Sequence, residues 1–128
     1  MREIPIRTAV RRELVDITAE VAAAARASGD GVYLVYVPHT TAGVAINEGA
    51  DPSVAGDIVR ALEHAVPDDQ RWDHAEGNSP AHVMSTLVGS SALVAMKDGE
   101  LALGTWQSIF FCEFDGPRSR KVWLRKLG

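Results

Sequence analysis

The chain predicts an α/β fold in which strands dominate, forming a mostly antiparallel sheet that two or three helices cover. Three observations carry this expectation. Residues 32–37, Val-Tyr-Leu-Val-Tyr-Val, form an unbroken β-branched and aromatic run, the pattern of a central strand covered on both faces. Lys97-Asp98-Gly99-Glu100 separates two apolar runs with an Asp-Gly pair, which signals an antiparallel hairpin. Only two stretches carry a clear helical pattern, so sheet must make up most of the rest.

Taken in order, Ile4 and Ile6 alternate with Glu3 and Arg7, and Leu14-Val15-Asp16-Ile17 follows Arg11-Arg12-Glu13, giving two extended segments. Thr18 is placed to cap a helix over residues 19–28, with Glu20 in its electropositive first turn and Gly29 ending it. Its alanines allow close approach to a sheet. The strand at 32–37 then delivers His39 to its C-terminal end. Asp51-Pro52 pairs a capping residue with proline at a helix start. Ala55, Ile58, Val59, Leu62 and Val66 recur on one face of that helix, and Asp57, Arg60 and His64 share the other. Residues 72–82 form a shaped turn around Gly77 and Pro80, and residues 82–88 fit a short helix or a strand equally. Residues 92–96 and 101–103 flank the hairpin turn. Residues 107–114 form a strand, and Asp115-Gly116-Pro117-Arg118 turns it into a last strand over 121–127.

With 128 residues the chain suits one domain spanning 1–128 with a single core. No apolar run approaches the ~20 residues of a membrane span, and the first residues lack an apolar signal core. A cytoplasmic protein is therefore expected, in keeping with a single cysteine, Cys112, read as an inert buried thiol. Thirteen Lys and Arg against seventeen Asp and Glu give a net charge of −4, with the bases scattered, which disfavours nucleic acid as a partner.

The chemistry concentrates in two stretches. Trp72-Asp73-His74-Ala75-Glu76-Gly77-Asn78-Ser79-Pro80-Ala81-His82 packs two imidazoles, carboxylates and an amide around glycine and proline, and Pro38-His39 through Asn47-Glu48 repeats the same ingredients. His64, on a polar helix face, is set aside as a solvated side chain. His39, His74 and His82 either act as three imidazole ligands of a divalent metal with an open fourth position, or cap loops through backbone hydrogen bonds. Glu48 and Glu76, next to Asn47 and Asn78, are general-base candidates or orient the imidazoles, with solvated turn carboxylates as the plain alternative. Asp51 has a sufficient role as helix cap. Gly89-Ser90-Ser91 suits an oxyanion through Ser90, or is a turn. Gly104-Thr105-Trp106-Gln107 offers Thr105 and Gln107 as hydrogen-bonding groups, with Trp106 as pocket wall or core. Arg118 either grips a phosphate or belongs to its turn.

Pro38-His39-Thr40-Thr41-Ala42-Gly43 with Ile46-Asn47-Glu48 and Ala50-Asp51-Pro52, then His74-Ala75-Glu76-Gly77-Asn78 with Ala81-His82, then Leu103-Gly104-Thr105-Trp106-Gln107 and Cys112 to Arg118 together resemble the YjbQ family. The resemblance runs through almost the whole chain in order. It implies a small α/β sandwich, commonly a homotrimer, whose histidine-bearing stretches form a polar site near a subunit interface. It also implies weak thiamine-phosphate synthase activity, and a divalent metal, zinc or magnesium, at His39, His74 and His82. The chain departs from the family pattern at Met84, where lysine is frequent, at Ser108 in place of glycine, and at Ser79-Pro80.

The resemblance implies coupling of a pyrimidine diphosphate to a thiazole phosphate with loss of pyrophosphate. In that scheme Asn47, Asn78 and Gln107 bond the substrate. The rivals are a module that binds a phosphorylated metabolite without turnover, and a zinc-dependent hydrolase with Glu48 or Glu76 as base. The expected partner is a small phosphorylated substrate, with neither nucleic acid nor membrane involved.

Overall fold

The computed structural model describes residues 1–128 and contains two antiparallel sheets. Strands β1 (Arg2–Arg7), β8 (Ser119–Lys126), β3 (Gly31–Tyr36), β5 (Ser91–Lys97) and β6 (Glu100–Leu101) form the larger one, in the order β1-β8-β3-β5-β6. Strands β2 (Glu13–Asp16), β7 (Gln107–Glu113) and β4 (Ala42–Glu48) form the smaller one, in the order β2-β7-β4. Three helices complete the chain: α1 (Thr18–Arg26), α2 (Pro52–Ala65) and α3 (Ser79–Val88).

Side-chain alternation along the strands explains the layering. Tyr33 and Val35 of β3, Val94 and Met96 of β5, and Val122 and Leu124 of β8 point to one face, where they meet Val44 of β4, Ile109 and Phe111 of β7, and Val21, Ala24 and Ala25 of α1. The small alanine side chains let α1 lie beside the smaller sheet against the larger one. The opposite face of β7, through Phe110 and Cys112, meets Ala81 and Met84 of α3 with Val66 and Phe114 in a second cluster. The smaller sheet is therefore the one covered on both faces, and β7 at its centre is covered most completely.

That result corrects the expectation for residues 32–37. Strand β3 buries only alternate residues, leaving Val32 40% and Tyr36 37% exposed, because α2 and α3 pack on the smaller sheet and none covers the outer face of the larger one. A second correction concerns Thr18. It does not cap α1 by its side chain; its hydroxyl donates to Asp16 Oδ1 at 2.6 Å and accepts from the Ile109 N–H at 2.8 Å, tying the helix start to β7.

Two other local expectations appear in the fold, at Asp51-Pro52 and at Asp98-Gly99. Asp51 Oδ1 accepts from the Ser53 N–H at 2.9 Å with Pro52 in the first turn of α2. Asp98 and Gly99 both take positive φ, 55° and 76°, at the hairpin between β5 and β6. The Asp30 carboxylate holds that turn by accepting from both N–H groups, at 2.6 and 3.0 Å. Residues 82–88, undecided by periodicity, are helical, and α3 begins already at Ser79, which corrects the expected turn over 72–82: the irregular segment ends at Asn78, and His82 sits on the first turn of the helix. No helix is long and apolar enough to cross a membrane.

Candidate functional site

Three segments meet at one end of the smaller sheet: residues 38–41 between β3 and β4, residues 74–82 leading into α3, and residues 115–120 joining β7 to β8. They enclose a cleft of about 500 Å³ lined, Pro38 apart, by polar and charged side chains. Among the residues singled out in the sequence, His39, His74, Glu76, Asn78, His82 and Arg118 line it.

The imidazoles have different surroundings. The Lys121 N–H donates to His39 Nε2 at 3.0 Å, which requires that nitrogen to be unprotonated and places the ring proton of neutral His39 on Nδ1. Burial, and then the positive charge of Arg120, hold the His39 pKa below the usual histidine value. The ring stands edge-on to Phe111, with centroids 6.4 Å apart. His74 and His82 face one another at 5.3 Å between centroids with perpendicular planes, and Glu76 Oε2 lies 3.9 Å from His74 Nε2. Both Glu76 and His74 are open to solvent, so this pair is available to a ligand.

Beneath the cleft lies a hub that the sequence reading missed. Glu113 and Arg120 are buried together, with Arg120 Nε donating to Glu113 Oε1 at 2.9 Å and Nη2 donating to Oε2. Arg120 Nη2 also donates to Thr41 Oγ1 at 2.8 Å. Thr8 Oγ1 donates to Glu113 Oε1 at 2.7 Å, and the Asp115 N–H donates to Oε2 at 3.1 Å. Burial by itself pushes the Glu113 pKa up, but these donors outweigh it and hold the group below the usual carboxylate range. Asp115 in turn accepts from Asn78 Nδ2 and from Arg118 Nη2, each at 3.0 Å, so one carboxylate ties the 74–82 segment to the β7–β8 turn. Asn78 Oδ1 is buried without a hydrogen-bond partner. The available signal for the hub was a lone glutamate closing the run Ile-Phe-Phe-Cys, where an unpaired charge is expensive.

The remaining candidates lie elsewhere. Asn47 and Glu48 close β4, five and six residues beyond Ala42, so they stand roughly 17–20 Å along the strand from the cleft. Gln107 pairs with Glu48 in register at that same far end, and its Oε1 accepts from the Gly104 N–H at 2.8 Å. Thr105 is in the same exposed turn, and Trp106 is 65% exposed, so it is not core. Ser90 lies outside the polar cleft, in an adjoining one that shares His39 and His82 with it. Met84 is fully buried under α3 and faces away from the cleft.

His39, His74 and His82, the expected metal ligands, all line the cleft. No three His, Cys, Asp or Glu side chains converge at metal-holding spacing, and His39 Nε2 is already engaged by the Lys121 N–H.

A sequence model of UPF0047 protein YjbQ-like matches residues 2–128. The chain belongs to the YjbQ-like UPF0047 family. UPF0047 protein MJ1081 of Methanocaldococcus jannaschii is 52% identical over 125 residues, covering 96% of this chain and 91% of that protein. UPF0047 protein YugU of Bacillus subtilis is 46% identical over 131 residues, covering 100% and 99%. Among solved structures of the family, an uncharacterised conserved protein from Clostridium acetobutylicum superposes with a TM-score of 0.95 at 45% identity, over 99% of this chain and 100% of that one. The conserved hypothetical protein TT1486 from Thermus thermophilus gives 0.94 at 41% identity, over 99% and 100%. The sandwich of antiparallel sheets with three helices is thus the architecture of UPF0047 proteins.

Proposed function

We propose that the cleft between residues 38–41, 74–82 and 115–120 binds a small phosphorylated substrate and supports weak thiamine-phosphate synthase chemistry. One observation supports this above the others: a cleft lined mainly by polar and charged side chains collects three imidazoles, the Asn78 amide and the Arg118 guanidinium. Arg118 spends its Nε on the Asp115 carbonyl and one Nη2 proton on the Asp115 carboxylate, which leaves further donors of its planar fork for phosphate oxygens. In the coupling reaction the thiazole nitrogen forms a C–N bond to the pyrimidine methylene as the C–O bond to diphosphate breaks. Residues that bind the departing pyrophosphate and hold the two rings together supply the catalysis. His82 and Arg118 fill the first role, and Glu76 orients His74.

A second reading, binding of a phosphorylated metabolite without turnover, draws on a separate observation. Both guanidiniums of the cleft are already paired with carboxylates, Arg118 with Asp115 and Arg120 with Glu113, so the positive field available to a leaving pyrophosphate is reduced.

The test is thiamine-phosphate formation from the two phosphorylated precursors, with equilibrium binding measured in parallel for the wild type and for His82→Ala, Arg118→Ala and Glu76→Gln. Product formation that falls at least tenfold in these variants supports the synthase; binding without product supports the module. Absence of both in the wild type ends the proposal. Metal content of protein purified without chelator, beside a variant with alanine at His39, His74 and His82, decides whether zinc or magnesium joins these residues. Light scattering in solution tests the homotrimer that the resemblance implies.

A further inference from the structure

Next to the polar cleft lies a second one, of about 760 Å³, which shares Pro38, His39, Thr40 and His82 with it. Its character is different. Tyr36 and Trp123 form one wall, their rings stacked with centroids 5.9 Å apart and planes 21° apart. Ser85, Thr86 and Ser90 form another, because His82, Ser85, Thr86 and Gly89 fall at helical spacing on one face of α3 and its end.

Two contacts orient the indole of the aromatic wall. Trp123 Nε1 donates to Glu3 Oε1 at 3.1 Å, and Lys121 Nζ stands 5.7 Å from the indole centroid. Tyr36 has two register neighbours, Trp123 on β8, against which it stacks, and Ser91 on β5, which is too small to cover the other side of the ring. A phenol backed by indole on one side and by a serine on the other leaves an aromatic face for a third planar group. The hydroxyls of Thr40 and Ser90 line the same cleft and can donate to or accept from the edge of such a group, while Thr86 Oγ1, whose proton goes to the His82 carbonyl at 2.9 Å, can accept.

We infer that this second cleft takes the planar aromatic part of the ligand, stacked on Tyr36, while its phosphate occupies the polar cleft across His39 and His82. The ligand class is therefore a phosphorylated compound carrying an aromatic ring with hydrogen-bonding atoms. The inference rests on the phosphate reading of the polar cleft, and it adds a stacking subsite that a binding or a catalytic role uses alike.

Phenyl phosphate, glycerol 3-phosphate and benzyl alcohol are titrated by calorimetry and ligand-observed NMR against the wild type, Tyr36→Phe and Tyr36→Ala. Phenyl phosphate is expected to bind about tenfold more tightly than glycerol 3-phosphate, an advantage kept in Tyr36→Phe and lost in Tyr36→Ala. Equal affinity of the two phosphates for the wild type overturns the subsite and leaves the phosphate reading standing; that comparison needs no variant. An advantage that survives Tyr36→Ala also overturns it. Binding of benzyl alcohol that depends on Tyr36, with no binding of either phosphate, keeps the subsite and removes the phosphate reading. No binding of any probe removes both.

Discussion

Arg120 clamps Glu113 from the next strand along the chain, Nε to Oε1 at 2.9 Å and Nη2 to Oε2, with side-chain exposures of 4% and 0%. Strands β7 and β8 belong to different sheets, so this pair joins the two layers directly under the polar cleft. It also fixes Thr41 through Arg120 and Asp115 through Glu113.

Breaking the pair strands a buried charge. Glu113→Ala is expected to destabilise the fold by about 3–5 kcal/mol, because Arg120 loses its counter-charge without gaining water. Urea unfolding of the purified variant measures this. A loss under about 1 kcal/mol would show that the guanidinium finds another partner and that the hub is dispensable.

His39 stays neutral to lower pH than a free histidine. Its native pKa is depressed by burial and by Arg120, so its contribution to stability is present above the unfolded value of about 6.5 and is lost as pH falls through the lowered native value. Nitrogen-15 NMR is expected to show a midpoint below 6.5 with the proton on Nδ1 in the neutral form. A proton on Nε2 would contradict the hydrogen bond from the Lys121 N–H.

Gly43 lies where β4 passes the end of α3. A Cβ built there would sit 2.6 Å from the Gly89 carbonyl oxygen and 3.2 Å from Val88 Cγ1. Gly43→Ala must push the helix end away, and a cost of about 1–3 kcal/mol is expected, read as a lower midpoint of thermal unfolding.

Asp51 caps α2 through the Ser53 N–H. Replacing it with alanine should cost about 1 kcal/mol, whereas Asp51→Asn should cost much less, since the amide oxygen accepts the same bond. Equal losses for the two variants in denaturant titrations would mean that the carboxylate acts by charge and not as a cap.

The Cys112 thiol is buried between β7 and α3, and burial pushes its pKa up to about 12. A soluble disulfide reagent at pH 8 is expected to leave the folded protein unmodified and to label one thiol per chain in urea. Rapid labelling of the folded protein would show that the second core cluster opens.

Local chemistry made part of this molecule legible from residue order alone. Asp51-Pro52 starts a helix and Asp98-Gly99 turns a hairpin because the groups responsible are neighbours in the chain. The histidine-bearing stretches stood out for the same reason, and six of the site residues named from sequence do line one cleft. Burial was less legible, since a continuous apolar run reads alike whether one face or both are covered. Strand β3 proved open on one side and β7 closed on both because α2 and α3 pack on the smaller sheet, which no local pattern encodes. The two glutamates make the same point. Glu48 beside Asn47 and Glu76 near Asn78 look equivalent in sequence, yet β4 runs away from His39 for about 20 Å before it reaches Glu48, while the segment before α3 returns Glu76 to His74. Residue type determined which groups were capable of chemistry; the direction of a strand and the packing of the sheets decided which of them meet.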